Sequence, residues 1–513
     1  MYFYPRAVEG RKSTRDPNIR KSRLAVLKTI GVTALLLNLL FLALFSYIFG
    51  AIYQETSHIH NLNVVFVDYD RSLIGNSFRQ AYLQQLQGDS FPSIIERPIL
   101  EYPEPALLES AVCRINYWAA LYVSPNATAR LASALQGASA ALSYNRSDVV
   151  TMVWNEARYP TVADLIPAAL GTLSEAARII YSGLNGTGAI QIMDTTDPAA
   201  VAAFSNPWDL VSINIQPTTQ GSRLIYNTVL IIMILLQQFF FLATMNGVAS
   251  QSQLFTHLHP RVIILTRFLI SVTYTLGGSL CASGAVWAFR GDWGVNGNQW
   301  ALTWLSLWLF AHVNFITFDV FTAWVPAPYV PMVLVTWVIL NVTSILLPFE
   351  LIPAFYKWSY MLPAHAVYQL LIDIWSGGCN QLVAYALPLL FGFEISSSVL
   401  CSIGIYRRCH YAAIANEQLE NQLKKKLNDE LANYMEKRET NTMDTPNNDC
   451  QVGQASEAAG NRRRSPDVVE EEDQEGPAES IMRSISSLRR EHTRRNSLGP
   501  TFEIPFVEGV EKS

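Results

Sequence analysis

Residues 30–52 read IGVTALLLNLLFLALFSYIFGAI, a run without a single charge. At about 1.5 Å per helical residue it crosses the roughly 30 Å hydrocarbon core of a bilayer. A signal-peptide core is shorter, about 7–15 residues, and ends in a small-residue cleavage site. This run ends in Phe49-Gly50-Ala51-Ile52-Tyr53, so an uncleaved anchor is expected. Ahead of it, residues 1–29 carry eight Lys or Arg against Glu9 and Asp16. That basic flank is expected to stay in the cytosol.

Four further apolar runs follow after a long polar stretch, at residues 224–248, 262–288, 300–320 and 330–347, and a last one at 382–406. Arg267 lies near the start of its run, where its side chain is expected to snorkel to the headgroups. Six spans return the C-terminus to the cytosolic side, and Arg407-Arg408 behind the last span agrees with that count. Residues 348–381 are too apolar for a plain loop and rich in aromatics, which predicts re-entrant or interfacial helices in the outer leaflet. Composition agrees with a lipid setting. Only 15% of the 513 residues are charged, 50% are hydrophobic, and the mean hydropathy is +0.17. Soluble domains carry about 25% charge.

The polar segment 53–223 is placed outside by independent signs. It holds the glycosylation sequons Asn126-Ala-Thr, Asn145-Arg-Ser and Asn185-Gly-Thr, and from Gln54 to Gln220 it contains no lysine. A fourth sequon, Asn341-Val-Thr, falls inside a span and is expected to be unusable. NLNVVFVDYD (residues 61–70) predicts a strand and turn leading into a helix. SIIERPILEY, YWAALYVSP and ALSYN repeat the switch of period, while residues 151–184 predict mostly helix interrupted at Arg158-Tyr159-Pro160. The expected fold is thus a polytopic α-helical membrane protein with a large α/β exodomain between the first two spans. Asp68 and Asp70 are expected to turn the chain and cap the next helix. Cys113 is the only cysteine of this segment, so core packing and glycans are expected to hold it.

Residues 407–439 predict a short amphipathic cytosolic helix, with leucines at 419, 423, 427 and 431. Residues 440–513 are polar and charge-mixed, and are expected to be a disordered cytosolic tail. Ser465 and Ser497 follow arginine clusters there and are candidate kinase sites, where phosphate would reverse the local charge.

A net charge of −5 gives no footing for nucleic acid, and six scattered cysteines without a CxxC pair give none for a zinc module. The chain has no P-loop, no H-E-x-x-H, no G-x-S-x-G and no Rossmann fingerprint. No enzyme activity, cofactor or metal is therefore expected. What remains is polar residues at membrane depth: His312 and Asp319, seven apart on one helix face, Gln237 and Gln238, and Glu394 near the middle of the last span. An ionised carboxylate there costs at least about 2.5–3.5 kcal/mol on insertion scales. Such a group faces a pathway or pairs across helices, for example Glu394 with His312.

VVFVDYD with Ile74-Gly75, RINYWAALYVSPNATARLASAL, SYNRSDVV, NEARYPTV and the late PAHAVYQLLIDIWSGG resemble fungal membrane proteins of the nitrosoguanidine-resistance type. The resemblance runs from about residue 24 to about 406 and extends distantly to ABC-2-type permeases and phage-infection-type proteins. It implies a plasma-membrane or endomembrane protein linked to drug resistance and lipid organisation, and brings no catalytic residues. Two readings stand. One is a permease-like protein without its own ATPase that confers resistance to toxic compounds or organises lipids. The other is an interaction or sensor protein with a glycosylated exodomain and a phosphorylatable tail. Expected partners are membrane lipids, small toxic compounds, a kinase acting on the tail and a second copy of the chain.

Overall fold

The structure is a computed structural model and describes residues 17–443. It divides into two units, treated separately: residues 17–242 with 267–402, and residues 243–266 with 403–443. The expected tail, with Ser465 and Ser497, lies almost wholly outside the described residues, as does the start of the basic flank.

Helix α1 (Pro17–Ala51) leads into an α/β domain made of β1 (Asn63–Asp68), α2 (Leu73–Ala81), β2 (Ser93–Glu96), α3 (Pro105–Cys113), β3 (Ala119–Val123), α4 (Ala127–Leu135), α5 (Ala138–Ser143), β4 (Val150–Trp154), α6 (Leu165–Ile192), α7 (Pro198–Ser205) and β5 (Leu210–Asn214). The sheet order is β2-β1-β3-β4-β5, parallel except for β3 against β4. VVFVD and VTMVW are buried along their whole length, as strands covered on both faces must be. On one face Val65, Val67, Ala120 and Val153 pack with Leu108 and Val112 of α3. On the other, Phe66 stacks near Phe78, and Phe78 and Tyr181 meet the fully buried Trp208, whose indole donates to Ser174 at 3.1 Å.

Two local expectations are corrected here. Residues 150–154 are a strand rather than the start of a helix, because VTMVW pairs in register with both β3 and β5. In ALSYN, residues 141–143 end α5, and Tyr144 and Asn145 are extended beyond it. The aspartates do turn the chain, but differently in detail. Asp68 accepts from the backbone N–H groups of Asp70 and Arg71 and pairs with Arg79 at 2.7 Å, while Asp70 accepts from the Thr128 N–H and hydroxyl and so caps α4.

After α8 (Gln220–Arg223) come α9 (Thr228–Gln251), α10 (Leu254–His257), α11 (Pro260–Ala288), α12 (Gly297–Trp324), α13 (Val330–Thr343), α14 (Pro363–Trp375) and α15 (Val383–Met443). Five stretches are long and apolar enough to cross a membrane, namely Ile30–Ala51, Thr228–Gln251, Pro260–Ala288, Gly297–Trp324 and Val383–Asn433; Ala327–Thr343 is apolar but shorter. Leu35, Leu42, Phe45 and Phe49 of α1 are all more than half exposed, a surface that only lipid or another apolar body would cover. The last expected span and the amphipathic helix behind it are one continuous helix, since nothing between Tyr406 and Asn416 breaks the period.

Residues 348–381 depart from the interfacial expectation in one part. Phe355, Trp358 and Met361 are exposed apolar side chains, as an interface would have them. Helix α14, however, is buried on all sides within the protein: Ala364, Ala366, Val367, Leu371 and Ile372 are inaccessible. Most of its surface is apolar core, and its polar stripe of His365, Gln369 and Asp373 is hydrogen-bonded inside the protein.

Candidate functional site

Three apolar helices each turn one polar face inward. On α11, Arg267 and Ser271 are one turn apart; on α12, His312 and Asp319 are two turns apart; on α15, Glu394 and Cys401 are two turns apart. The structure joins them in two layers. In the first, His312 Nδ1 lies 2.7 Å from Glu394 Oε1, and His312 Nε2 lies 3.1 Å from the Ser271 hydroxyl. In the second, Arg267 Nη2 lies 2.9 Å from Asp319 Oδ1, and Cys401 Sγ lies 3.1 Å from Asp319 Oδ2. The layers are separated by seven residues of α12, about 10 Å of helix rise. Between them Thr317 meets Ser397 at 3.2 Å, and the Trp337 indole of α13 donates to Asn314 at 2.9 Å.

Proton bookkeeping constrains the first layer. The Ser271 hydroxyl donates to the Phe268 carbonyl at 2.8 Å, and a hydroxyl has one proton. Assigned from this network, His312 Nε2 must therefore carry hydrogen and donate to Ser271. One proton is then shared across the Nδ1–Oε1 contact, giving either imidazolium with carboxylate or imidazole with carboxylic acid. Both forms are neutral as a pair, which is how two titratable groups sit among apolar helices. The other oxygen, Glu394 Oε2, is buried and has no hydrogen-bond partner among the described residues.

Arg267 corrects a second expectation. Its side chain is 5% exposed and paired with Asp319, 4% exposed, so it is not snorkelling. A buried guanidinium needs a carboxylate close by, since either charge alone would bear most of its desolvation penalty. Asp319 thus belongs to Arg267, and the shared face with His312 does not bring those two into contact. Ser271 and Cys401 were not singled out from the sequence; their only signal was the one-turn and two-turn spacing from Arg267 and Glu394. Among the described residues no group of three or more His, Cys, Asp or Glu could hold a metal ion. Gln238 is fully buried and donates to Gln237 at 3.4 Å on the same helix.

A second constellation joins the α/β domain to the apolar helices. The starts of β1 and β3 and the end of β4 lie at one edge of the sheet. There Arg158 stacks on Trp118 at 3.7 Å, and both donate to Glu350 Oε1, at 3.3 and 3.2 Å. Burial pulls the Arg158 guanidinium below its usual pKa, and Glu350 opposes that pull. Tyr159 packs on Tyr368 of α14 at 4.9 Å. Glu156 accepts from the Thr218 N–H and hydroxyl, Asn214 and Arg223. Burial alone would raise its pKa, but these donors outweigh it and hold the carboxyl below its usual value. His365 of α14 donates from Nδ1 to the Ser344 carbonyl and accepts from Gln369, whose amide oxygen takes a bond from Asn380 at 3.0 Å. Burial lowers the His365 pKa to about 4, against a weaker opposing pull from Ser344.

Beside this chain lies the disulfide Cys113–Cys379, with Cα atoms 4.4 Å apart. The expectation that packing and glycans alone hold the α/β domain is thereby corrected. The partner thiol comes from outside the domain, 266 residues along the chain. RINYW, NEARYP and PAHAVYQLL, three of the stretches that carried the sequence resemblance, converge at this junction.

Of the sequons, Asn126 and Asn145 are exposed, and Asn145 accepts from the Ser147 N–H in a tight turn. Asn185 is half-buried within α6 and donates to the Tyr181 hydroxyl. Asn341 is fully buried and accepts from the Ala364 N–H.

No solved structure matches the chain. Residues 33–399 match the family described as Protein of unknown function (DUF3533), and the chain belongs to that family.

Proposed function

Starting from membership of the DUF3533 family, we propose that this chain is a six-span, permease-like membrane protein in which His312 and Glu394 form a proton-carrying pair. The observation that carries the reading is the paired carboxyl with its second oxygen unsatisfied inside the apolar helices. A carboxyl tied down on both oxygens would be glue. One with a free oxygen can take a proton from one side and release it to another. The resemblance to nitrosoguanidine-resistance proteins supports toxic compounds or lipids as cargo. The chain has no P-loop, so an ion gradient or a partner would supply the drive, and the reading assigns no enzymatic reaction.

Six spans require the 14-residue α13 to cross. Two contacts favour this. Glu350 and Cys379 join the α/β domain, so residues 348–381 lie on that domain's side of the membrane. The layers also set α15 parallel to α12 and α11 antiparallel to it, which needs one crossing between α12 and α15. With a basic N-terminal flank inside, the α/β domain with Asn126, Asn145 and Asn185 then faces outward and both termini face the cytosol, in the plasma membrane or an endomembrane.

The deciding experiment is reconstitution in liposomes with an imposed proton gradient, reading proton and drug flux. Glu394→Gln keeps shape and hydrogen bonding but cannot release a proton, so flux should be lost at unchanged protein content. Wild-type flux in that variant would sink the proton-carrier reading. The sensor reading would then lead, supported by the covalent and ionic ties between the α/β domain and the helices.

A further inference from the structure

His365 begins a chain of buried amides. Its Nδ1 faces the Ser344 carbonyl at 3.2 Å, and its Nε2 faces the Gln369 amide nitrogen at 3.4 Å. A carbonyl only accepts and an amide nitrogen only donates, so one neutral tautomer, assigned from this network, fits both. The Gln369 amide is thereby oriented, with nitrogen toward His365 and oxygen toward Asn380. Asn380 Nδ2 donates to that oxygen at 3.0 Å and to the Gln369 carbonyl at 2.9 Å. Asn380 Oδ1 accepts from the Leu382 N–H at 3.0 Å, and the Asn380 N–H donates to Asp373 Oδ1 at 3.2 Å. All three side chains, of His365, Gln369 and Asn380, are buried. Their bonds fasten residues 376–382 onto α14. This segment turns through Gly377 and Gly378, at φ +68° and +96°, carries the buried Cys379 and leads into α15.

The chain has a single polarity. A proton on His365 Nε2 aims a donor at a donor. The Gln369 amide can answer by turning over, but its nitrogen then faces Asn380 Nδ2. Asn380 has no matching turn to make, because the Leu382 N–H holds its oxygen and the Gln369 carbonyl holds its nitrogen. Only separation of Asn380 from α14 removes the conflict. The groups around His365 give no relief. Arg158 and Glu350 line the same cavity and are paired with each other at 3.3 Å, and the phenols of Tyr159, Tyr360 and Tyr385 carry no charge in acid. Burial raises the Asp373 carboxyl, so acid weakens that end of the chain too.

We propose that residues 376–382 form an acid-operated latch, in which a proton on His365 turns the Gln369 amide, drives Asn380 off α14 and uncovers the Cys113–Cys379 disulfide. The latch responds to acid on whichever side the α/β domain faces, and it is independent of proton transfer at His312 and Glu394.

The test reads disulfide reduction in full-length protein in detergent by a water-soluble trialkylphosphine. Rates are divided by those for oxidised glutathione, which removes the reagent's own pH dependence. With the closed imidazole titrating near 4 and the released one near 6.5, opening should become about thirtyfold more frequent between pH 7.5 and pH 5. The normalised rate should rise by that factor while helical circular dichroism stays unchanged. His365→Gln should abolish the rise. Gln369→Met, which keeps the imidazole but interrupts the chain, should also give a flat profile, whatever its rate at pH 7.5. Asp373→Asn keeps an acceptor for Asn380 and should retain most of the rise. A flat wild-type profile overturns the latch, as does a rise that persists in His365→Gln. A rise that appears only with loss of the helical signal overturns it as well, since the opening would then be global unfolding.

Discussion

Cys113, the last residue of α3, is covalently bound to Cys379, which stands between α14 and α15. The bond fastens the α/β domain to the entry of the last long helix, beside the Arg158–Glu350 ion pair. Proteolytic nicking anywhere between the two cysteines should leave fragments that separate in gels only after reduction. Cys113→Ser should lower thermal stability in detergent by about 2–4 kcal/mol, the usual effect of losing a disulfide. Fragments that separate without reductant would refute the bond.

The Arg267–Asp319 pair is buried on both sides. Arg267→Leu alone removes the cation facing the Asp319 carboxylate and should cost about 3–5 kcal/mol, whereas Arg267→Leu with Asp319→Leu should cost much less. A double-mutant cycle on detergent unfolding reads the difference. Additive losses would show that the two charges do not support each other.

His365 gives the junction an acid limit. The unfolded imidazole takes its proton near pH 6.5 and the folded one only near 4. Between those values the unfolded state binds more protons, so stability falls as pH drops from 6.5 to 4, by about 3 kcal/mol over the window. His365→Gln can still donate to Ser344 and does not titrate, so its stability should be flatter across that window. An unchanged slope in the variant would place the acid sensitivity elsewhere.

The topology has its own test. Enzymatic deglycosylation should shift the wild-type protein on gels, and Asn126→Gln, Asn145→Gln and Asn185→Gln together should abolish the shift. Asn341→Gln should change nothing, because that amide is buried against α14. A tag at residue 500 should react with antibody only after permeabilisation; labelling in intact cells would break the six-span count.

By itself the sequence determined what depends on local chemistry. The uncharged run at residues 30–52 is a helix because its length and apolarity leave no other stable form in lipid. VVFVD is a strand because β-branched residues fit a pleated, buried surface. The pairing of Glu394 with His312 could be named as one option, because each is costly among apolar helices without a partner. What only the tertiary structure decided are relations between segments far apart in the chain. Cys113 had no partner within its own domain; the fold brings one from 266 residues away. Arg267, seven residues into α11, reads as an interfacial snorkeller until α12 places Asp319 against it. The strand at Val150–Trp154 owes its form to neighbours on both sides, which a local helical period cannot reveal. The apolar α14 reads alike whether lipid or protein surrounds it; only packing makes it core. Hydrophobic period reports how a residue relates to its own helix or strand, and carries no address for the distant residue that completes its charge, its thiol or its ladder.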